Sequence, residues 1–404
     1  MKRFNKNIIL FVFAMAFIAL GIFGNCFAQI RGGSLEMIGA LMCLDSDGVK
    51  EAKAKIEDVS NSGLKYHDTL MDIDSIKNNL LGTRVVMKPD TIVVKSDSGS
   101  LCEPVNRLED SDIAETVSRI KALQELSEAN GAHFLYCMAP MKEQYEQLPC
   151  NVDNYARDNC ERFLYRMRTS EIPTIVFSDF YEETATGEDL FYYTDHHWTA
   201  RSGFVAYSSL CRELSSRYGF AYNEQYTDLT NYTITVYPDW SLGSKGKKTG
   251  TYFTWHGADD FELITPKFST NLTEDHRVKE EGPFKETILF MQHMEKNYYH
   301  EIAYMTYSGG DFRLQIIENR QNLTGAKILI IRDSFACVVT PFLALQTAEL
   351  HVCDIRDNDY LSGHPANLRK YIQENKPDYV IVLYSGVESV RNAHGKYDFF
   401  PASQ

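Results

Sequence analysis

The sequence predicts an α/β fold, a parallel sheet with helices on both faces in a doubly wound, flavodoxin-like three-layer α/β/α arrangement. Short apolar runs suited to buried strands alternate with helical patterns over residues 111–177. The same alternation returns over 327–383. The two segments richest in reactive side chains also fall at the ends of such units, where ligands bind in open α/β sheets.

Taken in order, Ser111 stands where a helix N-cap belongs, and Ile113, Val117, Ile120 and Leu126 recur at helical spacing as far as Asn130-Gly131. His133–Ala139 (HFLYCMA) reads as a buried strand. A helix over 154–168, a strand over Thr174–Phe177 and a helix after Trp198 follow. Near the C-terminus, Lys327–Ile331 (KILII) suits a central strand, with a helix after Ser334. Leu350–Ile355 (LHVCDI), a helix over 365–374 and the strand Tyr379–Leu383 (YVIVL) complete the pattern.

Residues 221–325 have another texture, rich in Tyr, Thr and Gly, with alternating segments YTITVY, TYFTWH and FRLQII. They predict a β-rich insertion or lid on the sheet. Residues 29–108 offer a helix near 49–58, a strand at Thr91–Val94 and a Ser-Asp-Ser-Gly-Ser linker or loop at 96–100. The expected organisation is therefore a domain over 109–404, preceded by an N-terminal region of unassigned fold.

Residues 1–28 carry Lys2, Arg3 and Lys6 ahead of an apolar run that ends at Ala28. This is the pattern of a signal peptide, and the run is also long enough for a signal anchor. Either reading places the rest of the chain outside the cytoplasm. The chain of 404 residues has 41 Lys+Arg against 55 Asp+Glu, a net charge of −14, which argues against nucleic acid as a partner. It contains no Walker loop, no Rossmann glycine fingerprint, no zincin motif and no Cys-x-x-Cys pair, so no nucleotide cofactor or zinc is expected. Of its nine cysteines, Cys150 and Cys160 flank a polar stretch and are placed to bridge, whereas Cys137, Cys337 and Cys353 lie in apolar runs that suit buried thiols.

The first reactive segment is Thr194-Asp195-His196-His197-Trp198-Thr199, directly before a helix. The second is Ile331-Arg332-Asp333-Ser334-Phe335-Ala336, where a buried strand turns into a helix. A serine at such a turn is held clear of the sheet, and the next helix aims N–H groups at developing negative charge. It needs a base, and His197 is the candidate, with His196 competing. Asp195 shares a face with His197 in an extended segment and can hold its other nitrogen. The competing readings are plain: Ser334 as a helix cap, Asp195 and His197 as a metal pair lacking a well-spaced third ligand, Trp198 as packing, and Asp333 as a brace.

Three strings, D-H-H-W at 195–198, D-S-F at 333–335 and Y-S-G-G-D at 307–311, resemble the bacterial DHHW protein family. That family looks like a branch of the SGNH-hydrolase-like proteins, which include the alginate O-acetyltransferases AlgJ and AlgX. The segment Pro140-Met141-Lys142 through Tyr145 is similar to the family's P-x-K-x-x-Y. The resemblance covers about 110–404 and implies an SGNH-like fold with Asp195, His197 and Ser334 as catalytic triad. The chain departs from the usual Gly-Asp-Ser at Arg332, a side chain placed either to obstruct substrate or to pair with an anionic glycan. The Ser334 N–H with Gly309 or Gly310 is expected to form the oxyanion hole, and Lys142 and Tyr145 join the substrate candidates. Tyr252, Phe253 and Trp255 can stack on sugars or fill a small core, and Lys247 and Lys248 can meet an acidic glycan or sit at a solvated hairpin tip.

The expected function is that of an exported enzyme moving or removing acetyl esters on an extracellular polysaccharide or cell-wall glycan. A membrane-bound protein as acyl donor is the expected partner, and no cofactor is required. The rival is a non-catalytic glycan-binding or assembly protein on the same fold. A Ser334 hydroxyl within about 3.5 Å of His197, with Asp195 on the far side of the ring, separates the two.

Overall fold

The structure is a computed structural model that describes residues 67–88, 91–179, 190–275, 280–356, 368–386 and 395–400. The chain forms two compact units, one ending at Leu80 and one running from Leu81 to Gln404. In the first, the described element is α1 (His67–Leu80), with Asp68 in its first turn and Lys77 in its last, the charge order that complements a helix dipole. The expected signal segment 1–28 and the helix at 49–58 lie outside the described residues. Among the described residues, no helix is long and apolar enough to cross a membrane.

The second unit begins well before the expected 109. Strands β1 (Val85–Met87), β2 (Ile92–Lys95) and β3 (Leu101–Cys102) form a small antiparallel sheet. The Ser-Asp-Ser-Gly-Ser run is the turn joining β2 to β3, with Gly99 at φ 92°, and is not a linker. Lys95 ties this sheet to the rest of the unit by donating to the Phe253 carbonyl at 2.8 Å.

Helix α2 (Asp110–Ala129) starts from Glu109, two residues earlier than a Ser111 cap requires. Asp110 and Asp112 lie in its first turn, where their charges favour the helix start, and Gly131 at φ 86° follows its end as expected. Then come β4 (His133–Ala139), α3 (Ala156–Thr169), β5 (Thr174–Val176) and α4 (Ala200–Tyr218). The 221–325 segment supplies β6 (Tyr232–Ser241), α5 (Ser244–Thr249), β7 (Asp259–Pro266), β8 (Leu272–Glu274), β9 (Glu280–Gly282), α6 (Phe284–Thr287) and β10 (Gln315–Asn319). The chain ends with β11 (Lys327–Arg332), α7 (Val339–Ala344), β12 (Glu349–Cys353), α8 (Leu368–Asn375) and β13 (Tyr379–Ser385).

The main sheet has the order β5-β4-β13-β11-β12-β10-β8-β9. Its first five strands are parallel, as expected, but β10, β8 and β9 add antiparallel strands at one edge. The β-rich segment thus divides: β6 and β7 make a separate two-stranded ribbon, and the remainder widens the sheet, which needs no crossover helix. A simple flavodoxin-like order would leave β13 at the sheet's edge. Instead β13, an unbroken apolar run, lies between β4 and β11, where both of its faces are covered. Ile328 and Ile330 face a core built with α4 and α7, while Leu329 and Ile331 face one built with α2, α3 and α8. This is the three-layer arrangement.

Cys137, Cys337 and Cys353 are buried free thiols. Cys150 is exposed and Cys160 buried, and the expected bridge between them is not formed: Cys160 sits on the core face of α3 beside Phe163.

Candidate active site

The carboxyl ends of β4, β13 and β11 lie side by side, and the turns leaving them build the site. After β11, Asp333 caps the short turn Ser334–Cys337, its Oδ1 accepting the Phe335 N–H at 3.0 Å. Its Oδ2 accepts from the Ser385 N–H and hydroxyl, both at 2.8 Å, and from Lys396 at 2.6 Å. Burial would raise this carboxyl, but Lys396 and Arg356 hold it well below the usual range. Asp333 is a brace, and Ser334 beside it is half-buried.

The other half of the site is the tip of a small hairpin, in which Phe191 pairs with Trp198 and the Tyr192 N–H meets the His197 carbonyl. Residues 195–197 are bent rather than extended. Asp195 Oδ1 accepts the His197 N–H at 2.9 Å, a turn in which the carboxylate satisfies the backbone two residues on. The same oxygen meets His197 Nδ1 at 2.6 Å, and His197 Nε2 lies 2.8 Å from Ser334 Oγ. Asp195 Oδ2 accepts the Ser244 N–H at 2.7 Å. Burial acts to raise Asp195, but His196, His197 and these bonds hold it well below the usual carboxylate range, so it stays ionised.

His196 turns to Ser244 Oγ at 3.0 Å, leaving His197 as the ring that faces Ser334. Tyr304 stacks on His197 at 4.1 Å between centroids, and its hydroxyl links the Trp198 indole to the Phe335 carbonyl. Trp198 is wholly buried packing. Asp195, His196 and His197 bring potential metal ligands within 4.8 Å of one another, but Asp195 and both His197 nitrogens are already engaged.

Several expected substrate contacts take other roles. Arg332 is fully buried, with no side-chain access to solvent. It donates to Asp311 at 2.5 Å and to the Gly310 carbonyl at 2.6 Å, because β11 aims it under the 308–311 loop. Lys142 is also fully buried, its ammonium shared among the carbonyls of Tyr192, Tyr193 and Asp195. Tyr145 lines a cavity of about 990 Å³ whose walls do not include Ser334, His197 or Asp195. Gly309 spends its N–H on the Met305 carbonyl at 2.6 Å, and at φ 68° a Cβ there would strike the Phe290 ring. The N–H groups of Ser334 and Gly310 are engaged by no described residue.

In the β-rich segment, Phe253 fills a small core with Val93 and Leu101, while Tyr252 and Trp255 are exposed. Lys247 and Lys248 lie on α5, not on a hairpin tip, and Lys248 pairs with Glu103 at 3.3 Å.

Sequence reading missed three supports: Tyr304, Asp259 and Gly243. Tyr304 lay three residues from the Y-S-G-G-D string. Gly243 opens a Gly-x-x-Gly spacing at 243–246 that was the available signal, because a Cβ on it would come 2.3 Å from Asp195 Cβ. Asp259 had none.

Residues 102–236 match the family model described as SGNH hydrolase-like domain, acetyltransferase AlgX, and residues 180–353 match that of the DHHW protein. The fold is SGNH hydrolase-like. Among solved structures, this SGNH-like chain is similar to Bacillus cereus PatB1 with a sulfonyl adduct, at 20% identity and a TM-score of 0.61, over 78% of this chain and 99% of that one. A DHHW family protein from Eubacterium siraeum matches at 18% identity and a TM-score of 0.58, over 79% of this chain and 98% of that one. At such identities these two likenesses speak for the fold. No curated protein matches by sequence.

Proposed function

We propose that the protein is an exported SGNH-like O-acetyltransferase or acetylesterase acting on an extracellular polysaccharide or cell-wall glycan through Ser334, His197 and Asp195. The observation that carries this reading is the unbroken line from Asp195 to His197 at 2.6 Å and from His197 to Ser334 at 2.8 Å. Ser334 Oγ attacks the acetyl carbonyl while His197 Nε2 takes its proton, and the ionised Asp195 stabilises the imidazolium that forms. The Ser334 and Gly310 N–H groups receive the oxyanion. His197 then returns the proton to the departing alcohol, leaving an acetyl-serine. A sugar hydroxyl completes transfer, and water completes hydrolysis. The match to an acetyltransferase family model favours transfer, with a membrane-bound protein as acyl donor. Burial of Arg332 removes the feature that favoured a glycan-binding rival.

The test compares wild type with Ser334→Ala on an activated acetyl ester and with a sulfonyl fluoride probe. Turnover is expected to fall about 10⁶-fold, and labelling to vanish. Equal labelling of both proteins would sink the reading.

A further inference from the structure

We propose that Asp259, Lys142 and Thr194 are positioning residues for the reaction: two opposite buried charges grip the main chain of residues 192–195 and set where the Asp195 carboxylate points. This rests on the reading of Ser334 as nucleophile. None of the three is hydrogen-bonded to Ser334 or His197.

The grip is nearly complete. Lys142 spends three donors on the carbonyls of Tyr192 at 2.7 Å, Tyr193 at 3.1 Å and Asp195 at 2.5 Å. An ammonium has three donors, so none is left over. From the other side, Asp259 on β7 accepts the Tyr193 N–H at 2.5 Å and the Thr194 N–H at 2.9 Å, and takes the Thr194 hydroxyl as well. That hydroxyl in turn accepts the Gly243 N–H at 2.8 Å. The Thr194 carbonyl accepts from the main-chain N–H groups of Lys245 at 3.1 Å and Gly246 at 2.9 Å. Lys142 and Asp259 are each almost wholly buried.

Neutral groups satisfy most turns. Burying a charge is costly, whereas a charge-assisted bond is about twice as strong as a neutral one. Spending two charges on four residues makes sense where small displacement is intolerable. The carboxylate carried by this turn must meet His197 Nδ1, and a misplacement of about 1 Å can cost about 100-fold in rate.

Thr194→Val keeps the shape of the side chain but removes the hydroxyl that joins Asp259 to Gly243, and Thr194→Ser restores it. With folding checked by near-ultraviolet circular dichroism, Thr194→Val is expected to lower kcat on an activated acetyl ester by about 10- to 100-fold with KM unchanged. Sulfonyl fluoride labelling of Ser334 should slow in parallel, and Thr194→Ser should recover most of the rate. Asp259→Asn, read the same way, covers the case in which the valine variant does not fold. Wild-type rates in Thr194→Val, or an equal loss in Thr194→Ser, would overturn the proposal while Ser334 labelling in wild type stands. Labelling that survives Ser334→Ala would bring down the underlying reading and this proposal with it.

Discussion

The turn carrying Ser334 and the turn carrying Asp195 and His197 are both buried and both held by charge, yet the charges act on different partners. Around Ser334 they act on one another as well as on the main chain, where Asp333 takes the Phe335 and Ser385 N–H groups and Arg332 the Gly310 carbonyl. Arg332 and Arg356 meet Asp311, Arg356 also meets Asp354, and Lys396 meets Asp333. Around Asp195 they act on main-chain carbonyls and N–H groups, through Lys142 and Asp259. A side-chain network fails when one partner is removed, because the other charge is left buried. A grip on backbone fails by letting the loop drift, which harms geometry more than stability.

The contrast is testable on the serine side first. Arg332→Met should leave Asp311 short of its buried partner and lower unfolding stability by about 3–5 kcal/mol in urea titration. A loss below about 1 kcal/mol would mean that Arg356 alone carries the network.

Two carboxylates, Asp259 under the Asp195 turn and Asp333 in the Ser334 turn, should answer acid in opposite directions. Burial, opposed by its bonds to Thr194, pushes Asp259 up from 3.8 to about 6. Between about pH 4 and pH 6, the folded state then holds more protons at this site than the unfolded chain, so the site's contribution falls as pH rises. The cost is fully present above pH 6 and amounts to about 3 kcal/mol. Asp333, held low by Lys396, gives the reverse: its contribution is present above about pH 4 and is lost as pH falls further. Urea unfolding over a pH series should show wild type losing ground to Asp259→Asn from pH 4 to about 7, and gaining on Asp333→Asn from low pH upward. Parallel curves would erase the distinction.

The smallest stability effect belongs to the backbone grip itself. Gly243→Ala places a Cβ against Asp195 and should cost about 1–3 kcal/mol, yet about 100-fold in ester hydrolysis. Full activity at a lowered melting temperature would show that the turn tolerates movement.

Much of this architecture was legible in the residues. The strand His133–Ala139 carries its own apolar signal, as does KILII before the Ser334 turn. The pairing of Asp195 with His197 could be anticipated from two-residue spacing, although it arises in a bend and not in an extended segment. What stayed hidden depends on partners remote in sequence. Arg332 beside a serine invites a surface role until the sheet shows it pointing beneath the 308–311 loop. Asp259 is one acid among 55 Asp+Glu, and only the pairing of β6 with β7 brings it beneath Thr194. The antiparallel edge was missed because β8 and β9 are three residues each, too short for periodicity to register.

The place of β13 in the sheet has a consequence for how the protein is made. Synthesis runs from the N-terminus, so β4 and β11 leave the ribosome before the strand that hydrogen-bonds to both. Until residues 379–385 are available, β4 with β5 and β11 with β12 are two half-sheets lacking the strand that sets their register. The pairing of β4 with β13 spans most of the domain in sequence, the kind of contact that slows folding. The middle strand of the five parallel ones is placed last, and a chain stopped short of it carries Ser334 and His197 without the strand that joins the two half-sheets beneath them.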